Sequence, residues 1–273
     1  MLLTSILLGL VQGLTEFLPV SSSGHLVLSK TFLDLTTQGV IWEISLHFST
    51  LLAVFAVFYR DIALMIKGVC ISTKRVFCGE KIIAIYRSEF HTRLFILLMI
   101  GTVPTAIIAI LFKDLFEQLF GKPVLVGCML VVTGTMLWFT KWSFKSRGEK
   151  KDLGIIRSLI VGTVQGLAIT PGISRAGATI AAATFMGIDR ETAARFSFLL
   201  SIPAILGAMA TMLNDPIALG RDEFSFLLIG SATAAISGYI SLRFLIKIIS
   251  IGKLHLFSYY CWPVGLFAIL FFL

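Results

Sequence analysis

Charge is scarce in this sequence of 273 residues: 14% of positions are Asp, Glu, Lys or Arg and 57% are hydrophobic. An ordinary soluble domain carries roughly 25% charged residues, so the composition excludes that class and indicates an integral membrane protein. The formal charge of +8 does not imply nucleic-acid binding, because Lys and Arg lie in short stretches between apolar runs and not in a stripe. Basic stretches beside membrane helices set the orientation of a chain instead. No Gly-rich, Lys-bearing phosphate loop is present, so neither ATP nor GTP is implied. The four cysteines, Cys70, Cys78, Cys128 and Cys261, show no metal-ligand spacing and read as free thiols. The N-terminus lacks a basic region and a small-residue cleavage site, so Met1 to Leu18 is expected to be a structural helix.

Apolar segments long enough to cross roughly 30 Å of hydrocarbon lie near 41–59, 94–112, 124–140, 194–213, 225–245 and 254–273. The expected fold class is therefore an all-α integral membrane protein with six transmembrane helices. Two further apolar segments are broken by proline, one at Pro19 and one at Pro171-Gly172, and each is followed by a short helix. A helix of about 12 residues reaches only about 18 Å, so each pair is expected to form a re-entrant hairpin.

These two segments repeat one another. Gly9-Leu10-Val11-Gln12-Gly13-Leu14 returns as Gly162-Thr163-Val164-Gln165-Gly166-Leu167, 153 residues later, and at the same offset Ser21 falls on Ser174 and Gly24 on Gly177. Charge parity orients the copies. Arg60 to Arg93 and Lys141 to Arg157 are rich in Lys and Arg and should be cytoplasmic, as should the basic stretch with Arg243, Lys247 and Lys253. The segment with Asp215, Arg221, Asp222 and Glu223 is weakly acidic and should lie outside. Three crossings then separate the copies, which makes one membrane domain of two inverted repeats, 1–142 and 154–273, with the two breaks meeting near mid-membrane.

Chemistry is concentrated at the breaks. Gln12 and Glu16 are four apart on one helix face and can address one ligand or metal ion. A carboxylate in apolar surroundings must be protonated, paired or metal-bound; Glu16 either serves function or pairs with Arg175 or His25 to hold the repeats together. Ser21, Ser22 and Ser23 precede a short helix whose N-terminus they could cap, and the same geometry favours a phosphate. Ser174 stands at the matching break, with Gly172 and Gly177 allowing close backbone approach. Arg175 costs about 2.5–3.5 kcal/mol in a membrane unless paired, and its fork of donors suits a diphosphate. His25 suits proton transfer or nucleophilic attack on phosphorus. Glu43 and His47, four apart, either line the same cavity or sit at the interface. Trp42, Tyr259 and Trp262 are expected to face lipid or pack helices.

The run from Gln12 to His25 resembles the Glu/Gln-x-x-x-Glu segment of bacterial undecaprenyl-diphosphatases of the bacitracin-resistance type. Pro171-Gly172-Ile173-Ser174-Arg175-Ala176-Gly177-Ala178-Thr179 resembles that family's Pro-Gly-x-Ser-Arg-Ser-x-x-Thr motif, and Phe196-Ser197-Phe198-Leu199-Leu200-Ser201-Ile202-Pro203 extends the likeness. The resemblance implies hydrolysis of undecaprenyl diphosphate to the monophosphate carrier of peptidoglycan synthesis in the bacterial plasma membrane, and a first hairpin that opens outward would place the site at the outer face. It implies a divalent metal, Mg2+ or Ca2+, and Glu16 with Gln12 would hold the metal or activate water. Arg175 would clamp the diphosphate, Ser22 or His25 would act as nucleophile or proton carrier, and Ser174 and Thr179 would add donors. Gln12 stands where many members have Glu, and Ala176 replaces the usual Ser. The partners expected are the polyprenyl diphosphate and membrane lipids, and a homodimer is compatible with the sequence. The competing reading is a transporter or flippase of a polyprenyl phosphate, since inverted repeats with broken helices are also a transporter plan.

Overall fold

A computed structural model describes residues 2–32, 40–143, 152–212 and 221–273, apart from the side chains of 40, 41, 43, 82, 211, 212, 221 and 222. The described chain is α-helical, and six of its helices are long and apolar enough to cross a membrane: Ile44–Phe77, Phe90–Leu111, Pro123–Ser143, Arg190–Ala210, Glu223–Ser250 and Leu254–Phe272. These coincide with the six segments expected from hydropathy. Their outward faces carry Val103, Ile107, Ile236, Ile240, Leu266 and Leu270, which suits contact with lipid tails and not with water.

Two helix pairs differ from the rest. The helices α1 (Leu2–Phe17) and α2 (Ser22–Phe32) form the first, and α8 (Gly154–Leu167) and α9 (Arg175–Phe185) the second. The members of 11 residues, α2 and α9, span about 16 Å at 1.5 Å per residue, too short to cross. Pro19 and Pro171 cannot donate a backbone hydrogen bond, and both pairs break there.

One element departs from expectation. The basic stretch after Arg60 continues as helix: α3 runs Val40–Phe77, with non-helical backbone at Phe58 (φ −102°, ψ 20°), and a short α4 (Ile82–Ser88) follows. Buried Met65 faces inward while Ile66 and Phe77 are exposed. Charge marks the side of the membrane; it does not forbid a helix whose remaining faces are apolar.

The helix contacts come in exchangeable pairs. With α5 (Phe90–Leu111), α7 (Pro123–Ser143), α10 (Arg190–Met212), α11 (Arg221–Ser250) and α12 (Ser258–Phe272) added, α1 packs on α11 and α8 packs on α5. Likewise α3 packs on α11 and α10 on α5, while α7 pairs with α12 and α3 with α10. Glycine makes the closest of these approaches possible. A Cβ on Gly9 would stand 2.4 Å from the Gly230 carbonyl oxygen, and one on Gly162 would stand 1.8 Å from that of Gly101. Between α7 and α12 the approach is mutual: Gly127 faces the Gly265 oxygen at 2.8 Å and Gly265 faces the Gly127 oxygen at 2.7 Å. Small residues are the means by which membrane helices bring backbones together in the absence of a hydrophobic force between them.

Hydroxyl groups bracket the same joints. Thr105 Oγ1 donates to the Gly162 carbonyl at 2.7 Å, and Ser241 Oγ donates to that of Gly13 at 3.1 Å. Around them the core gathers Phe17, Val161, Ile180, Phe196, Leu200, Leu242 and Cys261. All four cysteines are free.

Gly162→Ala should therefore destabilise the protein by about 1–3 kcal/mol through overpacking. Gly207, with open space around its Cα, provides the control, because Gly207→Ala should be neutral or stabilising. Thermal unfolding in detergent, comparing both variants with the parent, checks the contrast.

Candidate active site

The first break is built on one strained residue. Ser21, at φ +70°, is the one non-glycine residue in the left-handed region among the described residues, a conformation costing about 1–3 kcal/mol. Its side chain is fully used: Ser21 Oγ accepts from Gly24 N at 3.2 Å and from Gly172 N at 3.1 Å, and lies 3.3 Å from Ser23 Oγ. One hydroxyl thus caps α2 and ties the two breaks together. Its carbonyl accepts from His25 N at 3.1 Å.

The second break is held from α7. Thr133 Oγ1 donates to the Gly172 carbonyl at 2.8 Å and accepts from Ser174 N at 3.1 Å. Gly172 has φ +95°, and a Cβ there would stand 2.5 Å from the Val126 oxygen. Ser174 Oγ caps α9 by accepting from Gly177 N at 3.1 Å. The breaks touch directly: a Cβ on Gly24 would lie 3.0 Å from Gly172 Cα, and one on Gly177 would lie 3.1 Å from Pro19 Cβ.

This contact brings Glu16 to Arg175. The Glu16 side chain is 4% exposed, and Arg175 Nη2 donates to its Oε1. The other oxygen, Oε2, accepts from Ser22 Oγ at 2.5 Å and from Gln12 Nε2 at 3.0 Å. His47 Nε2 stands 3.7 Å from the same oxygen. Arg175 and His47 remain 22% and 32% exposed, so they form a rim above a sealed carboxylate. Among the described residues the protein engages only Nη2 of Arg175, which leaves guanidinium donors for an incoming anion.

The other residues singled out from sequence take supporting places. His25 is not brought to Glu16: its Nδ1 lies 2.8 Å from the Ser21 carbonyl oxygen and its Nε2 2.8 Å from Tyr260 Oη. Thr179 Oγ1 donates to the Arg175 carbonyl at 2.8 Å and also contacts Ser197 Oγ on α10. The hydroxyls of Ser21, Ser174 and Thr179 are thereby committed to holding the breaks. His47, which sequence left undecided, is the histidine that faces Glu16; Glu43, its companion, has a side chain outside the described residues. A signal for His47 was available. Phe48-Ser49-Thr50-Leu51-Leu52 on α3 matches Phe196-Ser197-Phe198-Leu199-Leu200 on α10, which makes α3 the counterpart of the helix that supports the second break.

The donor set limits what metal could bind. No group of three or more His, Cys, Asp and Glu side chains suited to a metal occurs among the described residues. Gln12, fully buried, nevertheless keeps an Oε1 with no hydrogen-bond partner. Gln12 points its amide N–H at the Glu16 carboxylate, so its Oε1 and Glu16 would offer oxygens to one ion only with the amide turned over, and such a two-ligand site would leave the rest of the shell to phosphate and water.

Fold and site together define a polytopic all-α membrane protein with a buried Ser-Glu-Arg centre at the meeting point of two helix breaks. The chain belongs to the family of bacitracin resistance protein BacA, whose family model matches residues 5–267. It is 43% identical over 265 residues to a protein of Desulforapulum autotrophicum named undecaprenyl-diphosphatase, covering 97% of this chain and 96% of that one. A protein of the same name from Methanosphaera stadtmanae is 41% identical over 273 residues, covering 98% and 97%. A third, from Halothermothrix orenii, is 42% identical over 267 residues, covering 97% and 96%.

Removing one member of a buried ion pair strands the other, at a cost of about 3–5 kcal/mol. Arg175→Met alone should therefore lower the unfolding temperature strongly. The double variant Glu16→Gln/Arg175→Met should recover much of the loss, and a double-mutant cycle of thermal unfolding in detergent measures the coupling.

Proposed function

We propose that this chain hydrolyses undecaprenyl diphosphate to undecaprenyl phosphate and inorganic phosphate. Full-length relatives that bear the name of that activity support the reading, and the observation that carries it is the Ser22–Glu16–Arg175 constellation. Phosphoryl transfer depends mostly on placing the reactants and neutralising charge. Arg175, on the first turn of α9, offers its remaining donors to two oxygens of the diphosphate, with the positive end of the α9 dipole behind them.

Ser22 is the group poised to react, because its hydroxyl already donates to a carboxylate that can take its proton. As Oγ attacks the terminal phosphorus, the bond to the bridging oxygen breaks, the Ser22 proton passes to Glu16, and the polyprenyl phosphate leaves. Water then attacks the phosphoserine, the Oγ–P bond breaks as Glu16 returns its proton to Ser22 Oγ, and inorganic phosphate leaves carrying both hydrogens of that water. A divalent ion, Mg2+ or Ca2+, would be held by Glu16 and, with its amide turned over, by Gln12 Oε1, and would neutralise phosphate charge.

In our reading the two halves are inverted repeats, 1–142 and 154–273, each with a re-entrant hairpin, in a bacterial plasma membrane with the site open to the outer face. Such placement would return the lipid carrier to peptidoglycan synthesis and confer resistance to bacitracin. The exchangeable packing of α1 on α11 and α8 on α5 supports the repeat. A broken-helix repeat is also a transporter plan, and the flippase reading makes a separate prediction: lipid movement in vesicles without phosphate release.

Purified protein should release phosphate from undecaprenyl diphosphate. Glu16→Ala, Ser22→Ala and Arg175→Ala should each lower kcat by about 100-fold or more, the scale for loss of one preorganised electrostatic group. Folded variants with full activity would overturn the assignment, and titration of Mg2+ after chelation tests the metal.

A further inference from the structure

His25 occupies a place in which neither ring nitrogen faces the Glu16 carboxylate. Nδ1 lies 2.8 Å from the Ser21 carbonyl, and a carbonyl can only accept, so Nδ1 carries the hydrogen. In the neutral ring Nε2 then accepts from the Tyr260 hydroxyl, 2.8 Å away on α12. The two rings also stack, with centroids 5.6 Å apart and planes inclined by 15°. Both nitrogens are engaged, which leaves no lone pair for attack on phosphorus and no unpaired site for proton transfer in this arrangement.

What the imidazole holds is the residue on which the first break turns. The Ser21 carbonyl receives two donors from His25, the backbone N–H at 3.1 Å and the ring Nδ1–H. Ser21 is the left-handed residue, and the next residue is Ser22, whose hydroxyl meets Glu16. Rotating the Ser21 peptide would swing Ser22 away from the carboxylate.

We infer that His25 is a positioning residue, clamping the Ser21 carbonyl so that Ser22 is aimed at Glu16, and that Tyr260 holds His25 in the required tautomer. The inference rests on the phosphatase reading for its kinetic consequence, though not for its geometry. It separates His25 from the chemical step and gives a residue of α12 a part in setting the site.

Asparagine at position 25 separates the two roles, because its amide N–H can occupy the place of Nδ1–H and still donate to Ser21, while it cannot reach Tyr260 or act as nucleophile or base. His25→Ala removes every side-chain bond. His25→Asn should be at least about tenfold more active than His25→Ala, since a positioning bond is restored. A chemical role would leave both variants equally depressed, by about 10²–10⁴-fold, and that result overturns the inference. Tyr260→Phe keeps the ring stack and removes one hydrogen bond, so kcat should fall by about 2–10-fold with KM unchanged. Nitrogen-15 spectra of labelled histidine, with the His25 signals identified by their loss in His25→Asn, supply the readout that does not need turnover. The parent should show a protonated Nδ1 and a hydrogen-bonded Nε2, and Tyr260→Phe should shift Nε2 alone. An unchanged Nε2 in Tyr260→Phe overturns the latch whether or not phosphate is released. Absence of phosphate release from the parent protein, with the spectra as expected, would refute the phosphatase reading and leave the latch standing.

Discussion

The structure depends on a single ion pair between residues 159 positions apart. Glu16 and Arg175 sit on different helix breaks, and neither is tolerable alone at this depth: the carboxylate is sealed and the guanidinium has one donor group committed to it. Their pairing is weak evidence for stability, since desolvating two charges offsets most of their attraction. It does fix geometry. With one carboxylate oxygen taken by Arg175, the other is left to Ser22 and Gln12, so the pair sorts the surrounding polar groups as well as neutralising itself.

The remainder of the fold keeps the two breaks in contact. Ser21 and Thr133 do this with hydroxyls that each bond to the second break at two points or across the gap, and the glycines at Gly24 and Gly172 remove the side chains that would hold the breaks apart. The two breaks divide the labour. Gln12 and Gln165 both lie buried at equivalent positions, each with an unpartnered Oε1. Gln12 points its amide at a carboxylate, whereas Gln165 donates to Thr105 and to the Leu200 carbonyl. Ile169 stands at the position in the second motif that matches Glu16, so only the first break presents a carboxylate, and the second supplies the guanidinium.

Much of this was legible in the sequence. The six spans follow from apolar runs, and both breaks follow from proline, which ends a helix in any context. The pairing of Glu16 with Arg175 is among the few ways in which charge in an apolar setting can be satisfied. Other features were hidden for definite reasons. Helix α3 runs on past Arg60 because basic residues on one face do not interrupt backbone hydrogen bonding. The direction of His25 depends on the left-handed Ser21, and no residue type announces that conformation unless it is glycine. Thr133 lies inside an apolar span, where a threonine most often bonds its own helix, as Thr135 does with Val131. Its clip on the second break becomes visible only when α7 and α9 are side by side.

The mutual approach of Gly127 and Gly265 has an implication of its own. A contact in which each member presents to the other what the other presents to it is the signature of an isologous interface, the kind that two identical subunits form about a two-fold axis. Here both members belong to one polypeptide. The α7–α12 crossing therefore carries, within a single chain, the reciprocal form of a subunit interface.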